Sequence, residues 1–246
     1  MRIKTLILAA LSLSILTVSA QKTDSVVVFN AGVNGNNTVN LLSRLEKDVL
    51  KKDPDLVILM VGTNDMMNIN KTLSMQAYEK NYQQLVDKIK DKASLILMTI
   101  PPVYMPYVLE RKPQFNGDSG LVQQKIDSAN QVIRSIAAKN KCILVDLNKI
   151  LRACGGADTT RDGIFTNEAN MGIADGIHPN ANGYKIIAAA LYQTIITARP
   201  DAKKIVCFGD SITCGYRMKG QGSAEGDTYP AFLNRMLHSG NLPPAK

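Results

Sequence analysis

Short apolar runs alternate along this chain with longer amphipathic segments. The apolar runs are rich in Val, Ile and Leu and are continuous rather than alternating, which is typical of strands that are covered on both faces. They occupy Ser25–Asn30, Asp55–Val61, Ser94–Ile100, Lys141–Asp146 and Lys204–Phe208. Helical periodicity follows or separates them at Thr38–Lys51, Met75–Asp91, Gly120–Lys139, Ala181–Thr197 and, near the end, Thr228–His238.

This alternation predicts an α/β fold. Repeated strand and helix units build a parallel sheet whose crossover connections are right-handed. We therefore expect a doubly wound, three-layer α/β/α sandwich around a five-stranded parallel sheet. The sequence has no Gly/Ser-rich linker and no internal repeat, so a single domain is predicted for residues 21–246.

The first twenty residues have the pattern of a secretory signal peptide. Arg2 and Lys4 precede an apolar run of about fourteen residues, and Val18-Ser19-Ala20 forms a small-residue cleavage site. A membrane anchor is the alternative, but the run is short for crossing a bilayer and no lipobox cysteine follows it. We expect residues 1–20 to be removed near Ala20, which leaves a secreted or periplasmic protein without stable membrane insertion.

Composition and charge narrow the classes of partner. The 246 residues are 45% hydrophobic, which is enough for an ordinary core. The formal net charge of +8 falls to +6 without Arg2 and Lys4, and the remaining lysines are spread over the predicted helices. Because such dispersed charge is typical of solvated faces, we expect no nucleic-acid partner. The oligomeric state is left open.

The cysteines and histidines indicate no metal site. Cys142 and Cys207 lie within apolar strand runs and are predicted to be buried thiols. Cys154 and Cys214 fall in predicted loops, where a disulfide between them is possible in an exported protein. Their spacing matches no zinc pattern, and the chain has only two histidines. We expect no metal and no cofactor.

Polar, glycine-containing motifs stand next to the predicted strands and helices. NAGVNGNNT follows the first strand, GTND the second and GDSIT the fifth, while ADGIHPNANGY precedes the helix at Ala181. Each motif alone has an ordinary explanation as a turn or a helix cap. In doubly wound sheets, however, functional groups collect in the loops after the carboxyl ends of the strands. Motifs in all of these loops therefore indicate one shared site.

Together the motifs resemble the sequence blocks of the SGNH hydrolase superfamily, also called the GDSL lipase/esterase family. GDSIT carries Ser211, NGNNT carries Gly35, GTND carries Asn64, and DGIH carries Asp175 and His178. The resemblance spans essentially the whole chain after the leader. It implies a flavodoxin-like sheet, a catalytic triad of Ser211, His178 and Asp175, and an oxyanion hole made by Ser211, Gly35 and Asn64.

Two features depart from the family pattern. Asn36 follows Gly35 where an acidic residue is usual, which leaves Gly32 as an alternative oxyanion glycine. The serine block also comes last in this chain, whereas in the family it opens the domain. Joining Lys246 to Gln21 would restore the usual order, so we predict a circular permutation with sheet order 1-5-2-3-4. The alternative is a truncated tandem in which Ser211 opens a second domain.

The residue types suit acyl transfer. A serine hydroxyl is a poor nucleophile until a base takes its proton, and His178 and His238 are the only histidines. Asp175 stands three residues before His178, where it can orient the ring, whereas His238 lies among surface-type residues of the last predicted helix. Backbone N–H groups and the Asn64 amide suit an oxyanion hole. We predict a serine carboxylic ester hydrolase that acts through an acyl-enzyme.

The sequence constrains the substrate less. Residues 101–120, PPVYMPYVLERKPQFNGDSG, are predicted to be a loop rich in Tyr, Arg and Lys, and no long apolar segment resembles a lid. This favours short acyl groups, chiefly acetyl, on a carbohydrate or another small-molecule ester. A lysophospholipase or thioesterase, and a catalytically inactive glycan-binding module on the same scaffold, are the alternatives.

Overall fold

The five apolar runs form one parallel sheet. The computed structural model describes residues 26–115 and 119–239. The strands are β1 (Val27–Gly32), β2 (Leu56–Met60), β3 (Ser94–Met98), β4 (Ile143–Val145) and β5 (Lys204–Gly209). Their order is β1-β5-β2-β3-β4, and each neighbouring pair is parallel. The predicted fold class and strand order are confirmed.

Helices follow the strands in the predicted places. They are α1 (Thr38–Asp48), α2 (Thr63–Met67), α3 (Met75–Lys90), α4 (Met105–Arg111), α5 (Ser119–Lys139), α6 (Leu147–Ala153), α7 (Glu168–Met171), α8 (Ala181–Ala198), α9 (Ser211–Cys214) and α10 (Tyr229–Ser239). The long helices α1, α3, α5, α8 and α10 agree closely with the periodic segments of the sequence. The short ones were not predicted, because one or two turns are too few to show a helical period.

The sheet is covered on both faces. Side chains at alternate positions of a strand point to opposite sides, so β2 sends Val57 and Leu59 to one face and Leu56 and Ile58 to the other. The first face packs against α1, α3 and α5, and the second against α6, α8 and α10. This double burial explains why the strand sequences are continuously apolar.

Polar caps set the starts of the long helices. Asn37 accepts a hydrogen bond from the backbone N–H of Asn40 at the start of α1, at 3.1 Å. Asn180 accepts from the N–H groups of Asn182 and Gly183 at the start of α8, at 3.0 and 3.2 Å. Since the first N–H groups of a helix lack partners inside it, these side chains determine where each helix begins.

The first and last described segments lie together. Val26, just before β1, and Leu237, near the end of α10, line one recess beside the end of α8. Helix α10 also packs on β1. A right-handed crossover from β5 through α10 into β1 would pass through this point, which supports the predicted permutation.

The predicted signal peptide, the cleavage site near Ala20 and the junction between Gln21 and Lys246 lie outside the described residues. The domain boundaries at residues 20 and 246 therefore stay predictions. Within residues 26–115 and 119–239, no helix has both the length and the apolar character needed to span a bilayer.

The cysteines differ in part from the prediction. All four are free thiols, so the possible Cys154–Cys214 disulfide is not formed. Cys154 is exposed after α6, which follows the edge strand β4, whereas Cys214 is buried in α9 against β1 at the other edge of the sheet. Cys207 is buried in the interior strand β5 as predicted, but Cys142 is only half-buried because it precedes the edge strand β4.

Candidate active site

A pocket of about 250 Å³ opens at the carboxyl ends of the strands. Four of the predicted site residues line it: Gly35 after β1, Asn64 in α2, His178 before α8 and Ser211 at the start of α9. Asp175 is buried, in contact with the His178 ring. A larger, more apolar groove lies between α8 and α10 and contains none of the predicted site residues. The chemistry of the first pocket, rather than the size of the second, marks it as the candidate active site.

Ser211 lies at a tight junction between a strand and a helix. Strand β5 ends at Gly209, and the Asp210 carboxylate caps α9 by accepting from the N–H of Ile212 at 2.9 Å. Helix α9 ends after a single turn, because Gly215 adopts a left-handed conformation with φ 79°. The backbone N–H of Ser211 therefore belongs to the first turn of a helix, where N–H groups are not used by the helix itself.

His178 joins Ser211 to Asp175. Its Nε2 lies 2.9 Å from Ser211 Oγ, and its Nδ1 lies 2.9 and 3.0 Å from the two carboxylate oxygens of Asp175. The N–H groups of Ile177 and His178 also donate to Asp175 Oδ1, at 2.9 and 2.7 Å. The contact between Ser211 and His178 argues against the truncated-tandem alternative, which would hold the two residues apart.

The carboxyl of Asp175 is held in its ionised form. Burial by itself would raise its pKa, but the hydrogen bonds and charge from the His178 ring and the N–H groups of the same turn outweigh burial and lower the pKa to about 2. An ionised carboxylate on Nδ1 stabilises a positive charge on the imidazole ring when Nε2 takes up a proton.

Arg111 is a neighbour of Asp175 that the sequence did not reveal. The predicted loop 101–120 contains α4, and the guanidinium of Arg111 at its end lies 3.5 Å from Asp175 Oδ2 and also donates to the Asp175 carbonyl oxygen. The backbone N–H of Tyr104 also donates to the carbonyl oxygen of Gly176 at 2.8 Å, which is a second contact between the segment around α4 and the turn that contains Asp175. Nothing local in the sequence signals a contact across 64 positions.

Asn64 faces the pocket from α2. Its Nδ2 donates to the carbonyl oxygen of Asn36 at 2.9 Å, and its Oδ1 accepts from Asn68 at 3.3 Å. An amide Nδ2 carries two hydrogens, so one remains for a ligand in the pocket. Arg44 steadies the partner loop by donating to the Asn36 side chain at 2.7 Å and to the carbonyl of Gly209 at 2.8 Å. Asn36 stands where the family usually has an acidic residue, and its neutral side-chain oxygen accepts the hydrogen bond from Arg44.

The structure separates the roles of the two candidate glycines. Gly35 lines the pocket with φ 72°, and no atom lies within 4 Å of the position its Cβ would occupy. A Cβ on Gly32 would instead lie 2.1 Å from the backbone nitrogen of Cys214. Gly32 is therefore required for close packing of β1 on α9, and Gly35 is the glycine that faces the pocket.

Two buried carboxyl groups support the pocket from behind. Asp65 accepts from the N–H and the hydroxyl of Thr38 at the start of α1, at 3.0 and 2.5 Å. Burial raises the pKa of Asp65 to about 6, although the bonds from Thr38 oppose the shift. Burial likewise raises the pKa of Asp210 to about 7, against the bond from Ile212. Each carboxyl accepts a backbone N–H from the first turn of a helix beside the pocket, α1 for Asp65 and α9 for Asp210.

The remaining pocket walls combine an aromatic ring, cations and a few apolar groups. The Tyr216 ring lies 4.8 Å from the His178 ring, measured between centroids. Lys112 lines the pocket and donates to the Met67 carbonyl at 2.6 Å. His238 is exposed on α10 and bonds to the carbonyl of Asn234, away from the pocket. Among the described residues, no cluster of His, Cys, Asp and Glu has the makings of a metal site.

Comparison with known proteins assigns the family. The sequence model of the GDSL-like Lipase/Acylhydrolase family matches residues 15–186, which is more than half of the chain. The chain belongs to this family. Membership confirms the predicted superfamily and the predicted enzyme class, a carboxylic ester hydrolase. Ser211 lies beyond the matched range.

Relatives of known function and structure are distant. An acetylxylan esterase from Geobacillus stearothermophilus is 26% identical over 180 residues, which are 68% of this chain and 71% of that protein. A GDSL-like lipase from Bacteroides thetaiotaomicron VPI-5482, known from its crystal structure, is 26% identical with a TM-score of 0.52, over 67% of this chain and 73% of that one. A lipase/acylhydrolase from Enterococcus faecalis shares the fold, with 24% identity and a TM-score of 0.51 over 65% and 71% of the two chains.

Proposed function

We propose that this GDSL-family enzyme is a secreted serine esterase that acts through an acyl-enzyme. The observation that carries the proposal is the continuous hydrogen-bonded series from Ser211 Oγ through both nitrogens of His178 to Asp175, with 2.9 Å at each step. It opens into the same pocket as Gly35 and Asn64. A nucleophile, a base and an acid that orients the base, beside candidate donors for an oxyanion, are the groups that acyl transfer requires.

The first half-reaction acylates Ser211. As Ser211 Oγ attacks the ester carbonyl carbon, His178 Nε2 takes the hydroxyl proton, and Asp175 stabilises the resulting imidazolium. The tetrahedral intermediate then collapses and expels the alcohol, which receives its proton from His178. The acyl group remains on Ser211.

The second half-reaction returns the free enzyme. Water gives a proton to His178 Nε2 and attacks the acyl carbonyl, and collapse of the second tetrahedral intermediate releases the carboxylic acid and restores the Ser211 hydroxyl with the proton from His178. Each time, negative charge develops on the carbonyl oxygen. The N–H groups of Ser211 and Gly35 and the Asn64 amide are the donors for that charge, each contributing about 3 kcal/mol.

We infer that the substrate is a short acyl ester, chiefly an acetyl ester, of a carbohydrate. The pocket of about 250 Å³ is small for a long acyl chain, and the aliphatic side chains that line it are Met67 and Ile177, beside the ring of Tyr216. The relative from Geobacillus stearothermophilus that is named an acetylxylan esterase supports the same substrate class.

Export is proposed from the leader sequence. Cleavage after Ala20 would leave Gln21 as the first residue of the mature protein, and the mass of the protein recovered outside the cytoplasm would show it. Recovery of the uncleaved chain in the membrane fraction would favour the anchor instead.

Covalent labelling tests the esterase assignment directly. A fluorophosphonate probe should label the wild-type protein and a Ser43→Ala control, in which an exposed serine of α1 is removed, but not Ser211→Ala. The labelled wild type should also have lost its hydrolysis of p-nitrophenyl acetate. An unlabelled wild type that binds glycans would instead indicate an inactive binding module.

A further inference from the structure

A second, polar cleft of about 450 Å³ adjoins the active-site pocket at the amino end of α8. We call it the Arg217 cleft; its polar lining includes Arg161, Asn180, Asn182, Arg217, Lys219 and Asp227. Three of these side chains are cationic and one is anionic. The cleft therefore carries a net positive charge in a concave surface, where the field acting on an anion is stronger than on a flat face.

The three cations are available to a ligand. Arg161, Arg217 and Lys219 are exposed, and none of them forms an ion pair with any carboxylate in the part of the chain that the structure describes. The Arg217 guanidinium lies 5.0 Å from the centroid of the Tyr216 ring, a contact that orients its charge without neutralising it.

Both walls of the cleft continue into the active site along the chain. On one wall, Tyr216 lines the active-site pocket and the next residue, Arg217, lines the cleft. On the other, His178 lines the pocket and Asn180 lines the cleft. Since two residues span at most about 7 Å, the cleft lies within reach of the neighbouring sugar units of a polymer whose ester group is at Ser211.

The side-chain amides of Asn180 and Asn182, which both line the cleft, differ in whether they are free to bind a ligand. Asn180 is committed to the fold, because it caps α8 and donates to the carbonyl of Gly163. The Asn182 side chain is exposed and makes no side-chain hydrogen bond among the described residues, so its amide is free to bond hydroxyl groups. Cations and a free amide together suit a ligand that carries both carboxylate and hydroxyl groups.

We propose that the acetylated carbohydrate is an acidic glycan, and that the Arg217 cleft binds the carboxylates of the uronic acid units next to the acetylated sugar. This rests on the proposed function for the ester that is cleaved. Lys112 places a further positive charge on the pocket wall itself, whereas the charge of Arg111 is paired with Asp175. A phospholipid surface fits less well, because the cleft offers polar side chains rather than the apolar surface that acyl chains need.

Binding without catalysis tests the cleft independently of the esterase assignment. In calorimetric titrations, an unacetylated oligogalacturonate should bind about tenfold more tightly than a neutral xylo-oligomer of equal length. The affinity for the acidic oligomer should fall as salt is raised, while the affinity for the neutral one should not. Equal affinity for the two oligomers, or no binding of either, would overturn the proposal.

A charge-matched pair of variants locates the binding. Arg161→Gln combined with Lys219→Gln should weaken oligogalacturonate binding about fivefold to tenfold. Lys80→Gln combined with Lys88→Gln removes the same charge from exposed positions of α3, on the other face of the sheet, and should change binding by less than about twofold. Equal losses from both variants would mean that only net charge matters, which contradicts a specific cleft.

Hydrolysis and a lipid probe complete the test. On acetylated polygalacturonate, Arg161→Gln/Lys219→Gln should lower kcat/KM by the same factor as it lowers binding, with a smaller change on acetylated xylan. Wild-type inactivity on p-nitrophenyl acetate would refute the proposed esterase function but leave the binding result standing. Salt-sensitive binding to phosphatidylglycerol vesicles without binding to the acidic oligomer would overturn the glycan assignment.

Discussion

His178 Nε2 and Ser211 Oγ lie 2.9 Å apart, although 33 positions separate the two residues in the chain. The contact forms because β5, the last strand among the described residues, inserts between β1 and β2 in the interior of the sheet. The serine that follows it therefore emerges beside the loops of strands that come much earlier. This relationship joins the last two motifs of the chain into one site.

Removing either member of this pair should abolish catalysis without unfolding the protein. We expect Ser211→Ala and His178→Ala each to lower ester hydrolysis by about three orders of magnitude or more, measured as kcat/KM on p-nitrophenyl acetate. The melting temperatures should stay near that of the wild type. His238→Ala is the matched control, since that histidine is exposed on α10, and it should retain full activity. More than about a tenth of the activity in either active-site variant would contradict the triad.

Asn64→Ala tests the oxyanion hole. Loss of one amide donor should lower kcat by about a hundredfold or more, because the bond forms to the charge that develops during the reaction. Steady-state kinetics separates this from a binding effect. A change confined to KM would assign Asn64 to substrate binding and remove it from the oxyanion hole.

The size of the pocket predicts the acyl preference. Extra methylene groups are favourable only where apolar surface receives them, and Met67 and Ile177 supply little. We expect p-nitrophenyl acetate and butyrate to be hydrolysed faster than the decanoate, compared as kcat/KM. A preference for the longer chain would favour the lysophospholipase or thioesterase alternative.

The raised pKa of Asp65 predicts how the free energy of unfolding depends on pH. Its pKa is about 6 in the folded protein, above the ordinary value of 3.8, so the folded state binds more protons than the unfolded state between these values. The free energy of unfolding should therefore lose this contribution as pH rises from about 4 to about 6. Asp65→Asn keeps an oxygen acceptor for Thr38 and should flatten that part of the profile.

Denaturant unfolding at several pH values measures the effect. Asp127→Asn, which removes an exposed carboxylate from α5, should leave the slope between pH 4 and 6 unchanged. The Asp210 carboxyl, with a pKa raised to about 7, contributes in the same direction up to a higher pH. An Asp65→Asn profile with the wild-type slope would show that this carboxyl does not titrate as expected.

The permutation predicts that the chain can be reordered. A chain that begins near Asp201, runs to Lys246, continues through a short Gly/Ser joint into Thr23 and ends near Ala198 should fold and hydrolyse p-nitrophenyl acetate. Val26 and Leu237 line one recess, so the joint closes a short surface loop at a cost of about 1 kcal/mol.

Fragments provide the opposing test of the permutation. Residues 21–202 lack β5 and so lack the strand between β1 and β2. We expect this fragment not to unfold cooperatively in a thermal melt followed by circular dichroism. A soluble, cooperatively folded fragment together with an inactive reordered chain would contradict the permutation.

Local sequence pattern was enough to locate the strands, the long helices and the chemical groups of the site. Strand burial on two faces leaves a continuous apolar run, and a long helix leaves a 3.6-residue period, so β1 to β5 and the long helices could be located from local pattern. The motifs carrying Gly35, Asn64, Asp175, His178 and Ser211 were recognisable because a turn, a cap and a nucleophile each occupy a few adjacent positions.

Tertiary structure decided what those groups meet. Arg111 reaches Asp175, and the Tyr216 ring lies beside His178, only because separate loops meet at the carboxyl ends of the strands. The pKa of Asp65 is raised because the carboxyl is buried at the start of α1. Cys154 and Cys214 remain unpaired because they lie toward opposite lateral edges of the sheet. Periodicity and capping act between near neighbours in sequence, whereas burial and contacts between loops depend on strand order, which no single segment encodes.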